Sequence, residues 1–272
     1  MWNKLKYWYA RFLGTDTVVQ PPFIPAETLP YAEKDGEVLH LDWYAPQGRD
    51  QNTAVLFMHG GGFSEGVRDD PRYAQFARQL AARGFGTASI SYRLTMRGRS
   101  FGCDQPAEQK IHTFRCAAED AWDATRFLLS EVCPGSRIVL CGSSAGAEAV
   151  LHAAYWPDPL LPDGFRYAGV IGMAAALLDL DWITPDNALP SLLFHGVDDL
   201  LVPFGSASHH YCREGQPGFL LLHGSGSIAQ HLEALRKPVA LIKGNSGGHG
   251  WADKPMFEYV DRIVSFLERE IA

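Results

Sequence analysis

The sequence has no apolar run approaching the roughly 20 residues that a membrane-spanning helix needs. Nor does it hold a basic block to offset a formal net charge of -7, which argues against a nucleic-acid-binding surface. Cysteine is scarce. Five residues (Cys103, Cys116, Cys133, Cys141 and Cys212) stand at irregular spacings that fit neither a zinc ribbon nor a dense disulfide scaffold. Cys103 and Cys116 flank one long connection and are the candidate bridge, with scattered reduced thiols the preferred reading. His210 and Cys212 lack a second pair at ligand spacing, so no metal is expected. Met1 to Gly14 lacks the continuous apolar core and small-residue cleavage site of a signal peptide, which points to a cytoplasmic protein. Trp2, Leu5, Trp8, Tyr9 and Phe12 make an amphipathic stripe there, read as a short docked helix in preference to a membrane contact through residues 1–14. No internal repeat or low-complexity tract is present, and the oligomeric state is left open.

What is there suits one large core. The 272 residues are 46% apolar and 20% charged, the balance of a globular chain and not of a disordered one. Residues 1–35 read as an N-terminal helix followed by a proline-rich extended arm, and residues 36–272 as one α/β domain. Glu37 to Tyr44, Ala54 to Met58, Gly86 to Tyr92, Arg137 to Cys141, Tyr167 to Met173, Ser191 to Phe194 and Val239 to Ile242 read as strands. Helical stripes fall between them from Pro71, from Thr113 to Glu131, after Ser144 and from Ser227 to Leu235, with a last helix from Pro255 to Arg269. This alternation predicts a mostly parallel sheet with helices on both faces. Long connections at about 95–112 and 200–226 read as insertions.

The pattern Gly-x-Ser-x-Gly occurs three times, from Gly62, Gly142 and Gly244. Only the copy from Gly142 to Gly146 has a buried strand directly before it and a helix directly after it. A chain that reverses from strand to helix there strains its turning residue and holds the Ser144 hydroxyl out at the sheet end. A serine hydroxyl needs a base to take its proton, and the base needs a carboxylate to orient it. His249, between Gly248 and Gly250 after the last strand, is the candidate base, with His209, His210 and His223 as rivals. Asp198 and Asp199 both follow the strand ending at Phe194 and compete as the acid. The loops after Met58, Cys141, Phe194 and Ile242 leave the carboxyl ends of strands, where such sheets bind ligands.

With His59-Gly60-Gly61-Gly62-Phe63, Ser91-Tyr92-Arg93-Leu94, Gly142 to Gly146, His195-Gly196 through Asp199 to Val202-Pro203, and Gly248-His249-Gly250-Trp251, the chain from about Val38 onward resembles the α/β-hydrolase fold of the esterase and lipase family. The resemblance implies Ser144, Asp199 and His249 as catalytic residues. It implies the backbone N–H groups of Gly61, Gly62 and Ala145 as the oxyanion hole, and no cofactor. Phe63, His209, His210, Tyr211 and Trp251 are candidate contacts for a small-molecule ester substrate. His59 is read as a loop brace, and Arg93, Arg97 and Arg99 as a solvated charged loop. The chain departs from the family where Leu94 runs on through Thr95 to Cys103 and where Ser206 to Gly226 is inserted, both at the substrate pockets. The expected chemistry is hydrolysis of esters with small acyl groups through an acyl-enzyme. An amide or peptide hydrolase on the same three residues is the alternative, and a binding protein that keeps the fold without catalysis is the other.

Overall fold

Strand and helix alternate in the computed structural model, which describes residues 25–271. The strands are β1 (Glu27–Lys34), β2 (Glu37–Tyr44), β3 (Thr53–Met58), β4 (Gly86–Ile90), β5 (Arg137–Ser143), β6 (Gly169–Met173), β7 (Ala176–Leu177), β8 (Ser191–Gly196), β9 (Ser206–Ser208), β10 (Leu221–Gly224) and β11 (Val239–Gly244). The helices are α1 (Pro71–Ala81), α2 (Ala107–Phe127), α3 (Ala145–Tyr155), α4 (Ser225–Ala234), α5 (Pro255–Glu258) and α6 (Val260–Phe266). The start of α1 is chemically marked: Pro71 opens it and the Asp70 carboxylate accepts from the Arg72 N–H.

Eight strands form the main sheet in the order β1-β2-β4-β3-β5-β6-β8-β11. The strand β2 runs antiparallel to β1 and β4; the other pairings are parallel. Side chains alternate across a strand, and here both faces are buried. Val55, Phe57, Val139 and Cys141 pack with Phe76, Leu80, Met256 and Ile263 from α1, α5 and α6. Leu56, Met58 and Leu140 pack on the opposite face with Phe114, Trp122, Val150 and Ile228 from α2, α3 and α4. Register keeps the strand ends in step. Met58 pairs with Gly142, Ser143 with Met173, Met173 with Phe194, and His195 with Lys243. The loops leaving β3, β5, β8 and β11 therefore open on one rim.

Four expectations change. The segment read as an extended arm contains β1, which pairs with β2 at the sheet edge and carries Pro30 beside a register shift, as an edge strand tolerates. The helix read from Thr113 begins at Ala107. The 200–226 insertion is built and not loose, since β9 and β10 form a three-stranded sheet with β7. Strands of two to four residues show no period of their own, so only the pairing across the fold reveals them. The last helix breaks at Tyr259, whose φ of -125° lies outside the helical region. The helix expected over Met1 to Gly14, and any membrane contact through it, lie outside the described residues. Among the described residues no helix is long and apolar enough to cross a membrane.

The cysteine reading also changes. Cys103 is bridged to Cys212, not to Cys116, which is a buried free thiol. The helix starting at Ala107 carries Cys116 away along its axis, while β9 and β10 fold the second insertion back over the first. The bridge ties the two insertions together and closes a loop over a sequence separation of 109. Closing a loop of that length removes about 4–5 kcal/mol of unfolded-chain freedom in the entropic account. Replacing both Cys103 and Cys212 by Ser is expected to lower Tm by about 10 °C, given the size of the chain. A melting curve insensitive both to the double replacement and to reductant would show that the bridge contributes nothing to stability.

Candidate active site

The turn after β5 is steric in origin. A Cβ on Gly142 would lie 2.2 Å from the Gly146 carbonyl oxygen, and one on Gly146 would lie 2.0 Å from that of Met58. Neither position admits a side chain, so β5 and α3 meet at backbone contact. Ser144 takes up the reversal with φ 52° and ψ -122°, a strained conformation for a residue with a side chain. Its N–H donates to the Met173 carbonyl at 2.8 Å, and its own carbonyl accepts from the Ala147 and Glu148 N–H groups. The hydroxyl thus stands at the N-terminus of α3, where the helix favours negative charge.

Two loops bring the partners. Ser144 Oγ lies 2.8 Å from His249 Nε2. His249 Nδ1 lies 2.7 Å from Asp199 Oδ2, so Nδ1 is the donor and Nε2 is free to accept a proton. Asp199 is fully buried, and its Oδ1 accepts from the N–H groups of Leu201 and Val202 at 2.8 and 3.1 Å. Burial alone would raise its pKa. Hydrogen bonds from His195 and His249 outweigh that and hold the carboxyl well below the usual carboxylate range. Asp198 points elsewhere: its Oδ1 accepts the Gly248 N–H at 2.8 Å and braces the loop that carries His249.

Burial also acts on His249, and by itself would lower its pKa. The hydrogen bond to Asp199, with the charges of Asp199, Glu148 and Asp253, reverses the sign and raises it. Protonated His249 has no lone pair for the Ser144 proton. The expected pH profile of kcat/KM therefore falls on the acid side through an inflection above the ordinary histidine value of about 6.5. Activity is present above that inflection and lost below it. A rising limb centred well below pH 6 would show that Asp199 does not act on the imidazole in this way.

Gly61 and Gly62 share one cavity of about 650 Å³ with Ser144, Ala145 and His249. The glycine loop is a hydrogen-bonded turn in which the Gly61 carbonyl accepts the Ser64 and Glu65 N–H groups. Gly61 has φ 126°, and a Cβ there would lie 2.1 Å from the Glu65 carbonyl oxygen. His59, buried below, donates from Nδ1 to the Gly60 carbonyl at 2.8 Å, and its own carbonyl accepts from the Tyr92 hydroxyl at 2.8 Å. That is the bracing role expected of it.

Of the candidate substrate contacts, only His209 and His210 line the cavity. Phe63 is fully buried against Tyr92, Phe101 and Phe114, because its left-handed backbone (φ 58°) turns the side chain into the core. Trp251 is buried too, its indole donating to the Ser246 carbonyl at 2.9 Å and stacking over Gly244, where a Cβ would collide with the ring. It holds the His249 loop in place. Tyr211 is exposed and donates to the Asp199 carbonyl at 3.1 Å. Arg93 is a brace and not a solvated charge, paired with the buried Asp120 and with Glu119. Arg99 does reach the cavity wall. Cys212 is held in a disulfide, which withdraws the His210-x-Cys212 pair as a metal site. Glu148, which belongs to none of the motifs above, lines the cavity one helical turn after Ser144. A carboxylate four residues past the serine on a helix is the signal that was there to be used.

A parallel sheet, a strained serine between β5 and α3, and an acid and a base delivered in that chain order by later strands define the α/β-hydrolase fold. The chain has the α/β-hydrolase fold. A family model described as BD-FAE matches residues 41–158, which take in the glycine loop and Ser144 but neither Asp199 nor His249. An acetyl-hydrolase of Streptomyces hygroscopicus is 34% identical over 141 residues, 52% of this chain; the chain spans 39% of that relative's length. Esterase 2 of Thermogutta terrifontis superposes in its propionate-bound form with a TM-score of 0.64 at 20% identity, covering 90% of this chain and 94% of the other. The apo form of the same esterase gives 0.63 at 20% identity, covering 93% and 98%.

Proposed function

We propose that the protein is a carboxylic ester hydrolase working by acyl transfer, with small acyl groups as its preferred load. The observation that carries this reading is the unbroken relay of two short contacts, Ser144 Oγ to His249 Nε2 at 2.8 Å and His249 Nδ1 to Asp199 Oδ2 at 2.7 Å. Ser144 Oγ attacks the ester carbonyl while His249 Nε2 takes its proton. The carbonyl oxygen, now negative, is met by the N–H groups of Gly61, Gly62 and Ala145. The tetrahedral intermediate collapses, the alcohol leaves with the proton from His249, and an acyl-Ser144 ester remains. Water, deprotonated by the same imidazole, then releases the acid and restores the serine. Asp199 stays ionised throughout and stabilises the imidazolium.

The acetyl-hydrolase relative and the esterase bound to propionate and to butyrate support the small-acyl reading. So does a cavity walled by two insertions that the Cys103–Cys212 bridge fastens together. That bridge also favours an oxidising compartment over the cytoplasm expected from the sequence. The test is a series of p-nitrophenyl esters from acetate to laurate, with p-nitroanilides of the same acids alongside. The expected result is a maximum in kcat/KM at the short chains, with the esters far ahead of the anilides. Faster anilide cleavage would point to the amide hydrolase instead. Failure of a fluorophosphonate to label Ser144 would point to a binding protein without catalysis.

A further inference from the structure

Behind the nucleophile lies a group of polar side chains that the ester-hydrolysis steps do not use. Glu148 sits on α3 one turn after Ser144, only 2% exposed, and His209 is 1% exposed. Both line the catalytic cavity, as does His210. Glu148 Oε1 and His209 Nε2 stand 3.3 Å apart. Even so, among the described residues Glu148 Oε1 and His209 Nδ1 are buried atoms without a hydrogen-bond partner. Burying a polar group unpaired costs on the order of 1–3 kcal/mol, so two in one wall of a substrate cavity need a reason.

The surroundings show that the arrangement is held in place and not incidental. His210 and Tyr211 both adopt left-handed backbone (φ 54° and 53°), a strained pair of non-glycine residues that seats His210 on the cavity wall. The Cys103–Cys212 bridge anchors the same turn from the other side. Lys110, buried nearby, donates to the Gly218 carbonyl at 3.0 Å and fixes the loop beyond the bridge. Burial pushes the Glu148 carboxyl up to about 8, against the lowering influence of His210, His249 and Lys110. Burial likewise brings His209 down to about 3 and His210 down to about 4. Burial thus disfavours charge on all three groups.

We propose that Glu148, His209 and His210 form a polar subsite of the catalytic cavity that receives a hydroxyl group of the substrate, making hydroxylated esters the preferred class over plain alkyl esters. A hydroxyl both donates and accepts, which is what a carboxyl oxygen and an imidazole nitrogen left unpaired require. It brings no charge into a wall where burial disfavours charge. The single helical turn between Ser144 and Glu148, about 5 Å along the axis, places that hydroxyl a few bonds from the scissile carbonyl. The inference rests on the esterase reading above and refines its substrate.

The test uses two matched pairs that put the hydroxyl on opposite sides of the scissile bond, with acid release followed by pH-stat. One pair is ethyl butyrate and ethyl 3-hydroxybutyrate; the other is butyl acetate and 3-hydroxybutyl acetate. The full chain is expected to favour the hydroxylated member of at least one pair by about 10- to 100-fold in kcat/KM, since the alkyl member leaves the buried groups unpaired. Glu148→Leu should bring that ratio close to one, while Glu148→Gln, which keeps a neutral donor and acceptor, should retain most of it. A purely structural glutamate would change turnover of both members alike and leave the ratio untouched. Equal kcat/KM within both pairs for the unaltered protein, or a preference that survives Glu148→Leu, overturns the inference while the esterase reading stands. No turnover of any of the four esters overturns both.

Discussion

Replacing Ser144 by Ala is expected to lower kcat on a short-chain p-nitrophenyl ester by about 10⁵- to 10⁶-fold, and His249→Ala by nearly as much. The two losses come from one device. Without Oγ there is no atom to form the acyl-enzyme, and without Nε2 at 2.8 Å the hydroxyl keeps its proton at neutral pH and attacks poorly. Because each replacement disables the same step, the double variant should be no worse than either single one. A residual rate some 10³-fold above the uncatalysed reaction should survive, supplied by the N–H groups of the glycine loop and Ala145. Far-ultraviolet circular dichroism and Tm should stay near those of the unaltered protein, since Ser144 Oγ and the partly exposed imidazole carry little packing. Turnover of Ser144→Ala within tenfold of the unaltered protein would remove the nucleophile from the scheme and end it.

The second large effect separates two adjacent carboxylates. Asp199→Asn is expected to lower kcat by about 10⁴-fold, because an amide nitrogen facing Nδ1 drives the proton to Nε2 and leaves the imidazole in the wrong tautomer. It also removes the interactions that raise the His249 pKa, so the surviving activity should show its acid limb at lower pH. Asp198→Asn should cost no more than about tenfold, since its oxygen accepts a single backbone hydrogen bond from Gly248 on an exposed rim. The reverse ranking would make Asp198 the acid and would contradict the contact at 2.7 Å between Asp199 Oδ2 and His249 Nδ1. Both variants are isosteric, so the comparison reads chemistry and not lost volume.

Much of this site could be read along the chain because its signals are local. The four buried residues before Gly142, Ile138 to Cys141, and the apolar stripe after Ser144 announce a strand running into a helix, and only small residues fit around the turn. Glycines flank His249 within three positions. The order of serine, acid and base along the chain follows from which strand each one ends. Phe63 is not legible in this way, for the same reason that these residues are. Its neighbours in sequence are a polar glycine loop, yet its side chain answers to Tyr92, Phe101 and Phe114, which come from elsewhere in the chain. Trp251 likewise stands two residues from His249 in sequence but packs against Gly244 and Tyr259.

By itself the sequence determined the periodicities, and with them the parallel sheet, the strained serine at its rim and the candidate acid and base at the ends of later strands. Only the tertiary structure decided that Cys103 joins Cys212 and that Glu148 and His209 share a wall of the cavity. Periodicity is a property of neighbours, fixed by how a helix or strand presents successive side chains to water or to the core. Pairing between residues a hundred positions apart depends on the packing of the whole sheet and its insertions, and no short stretch of chain carries that information.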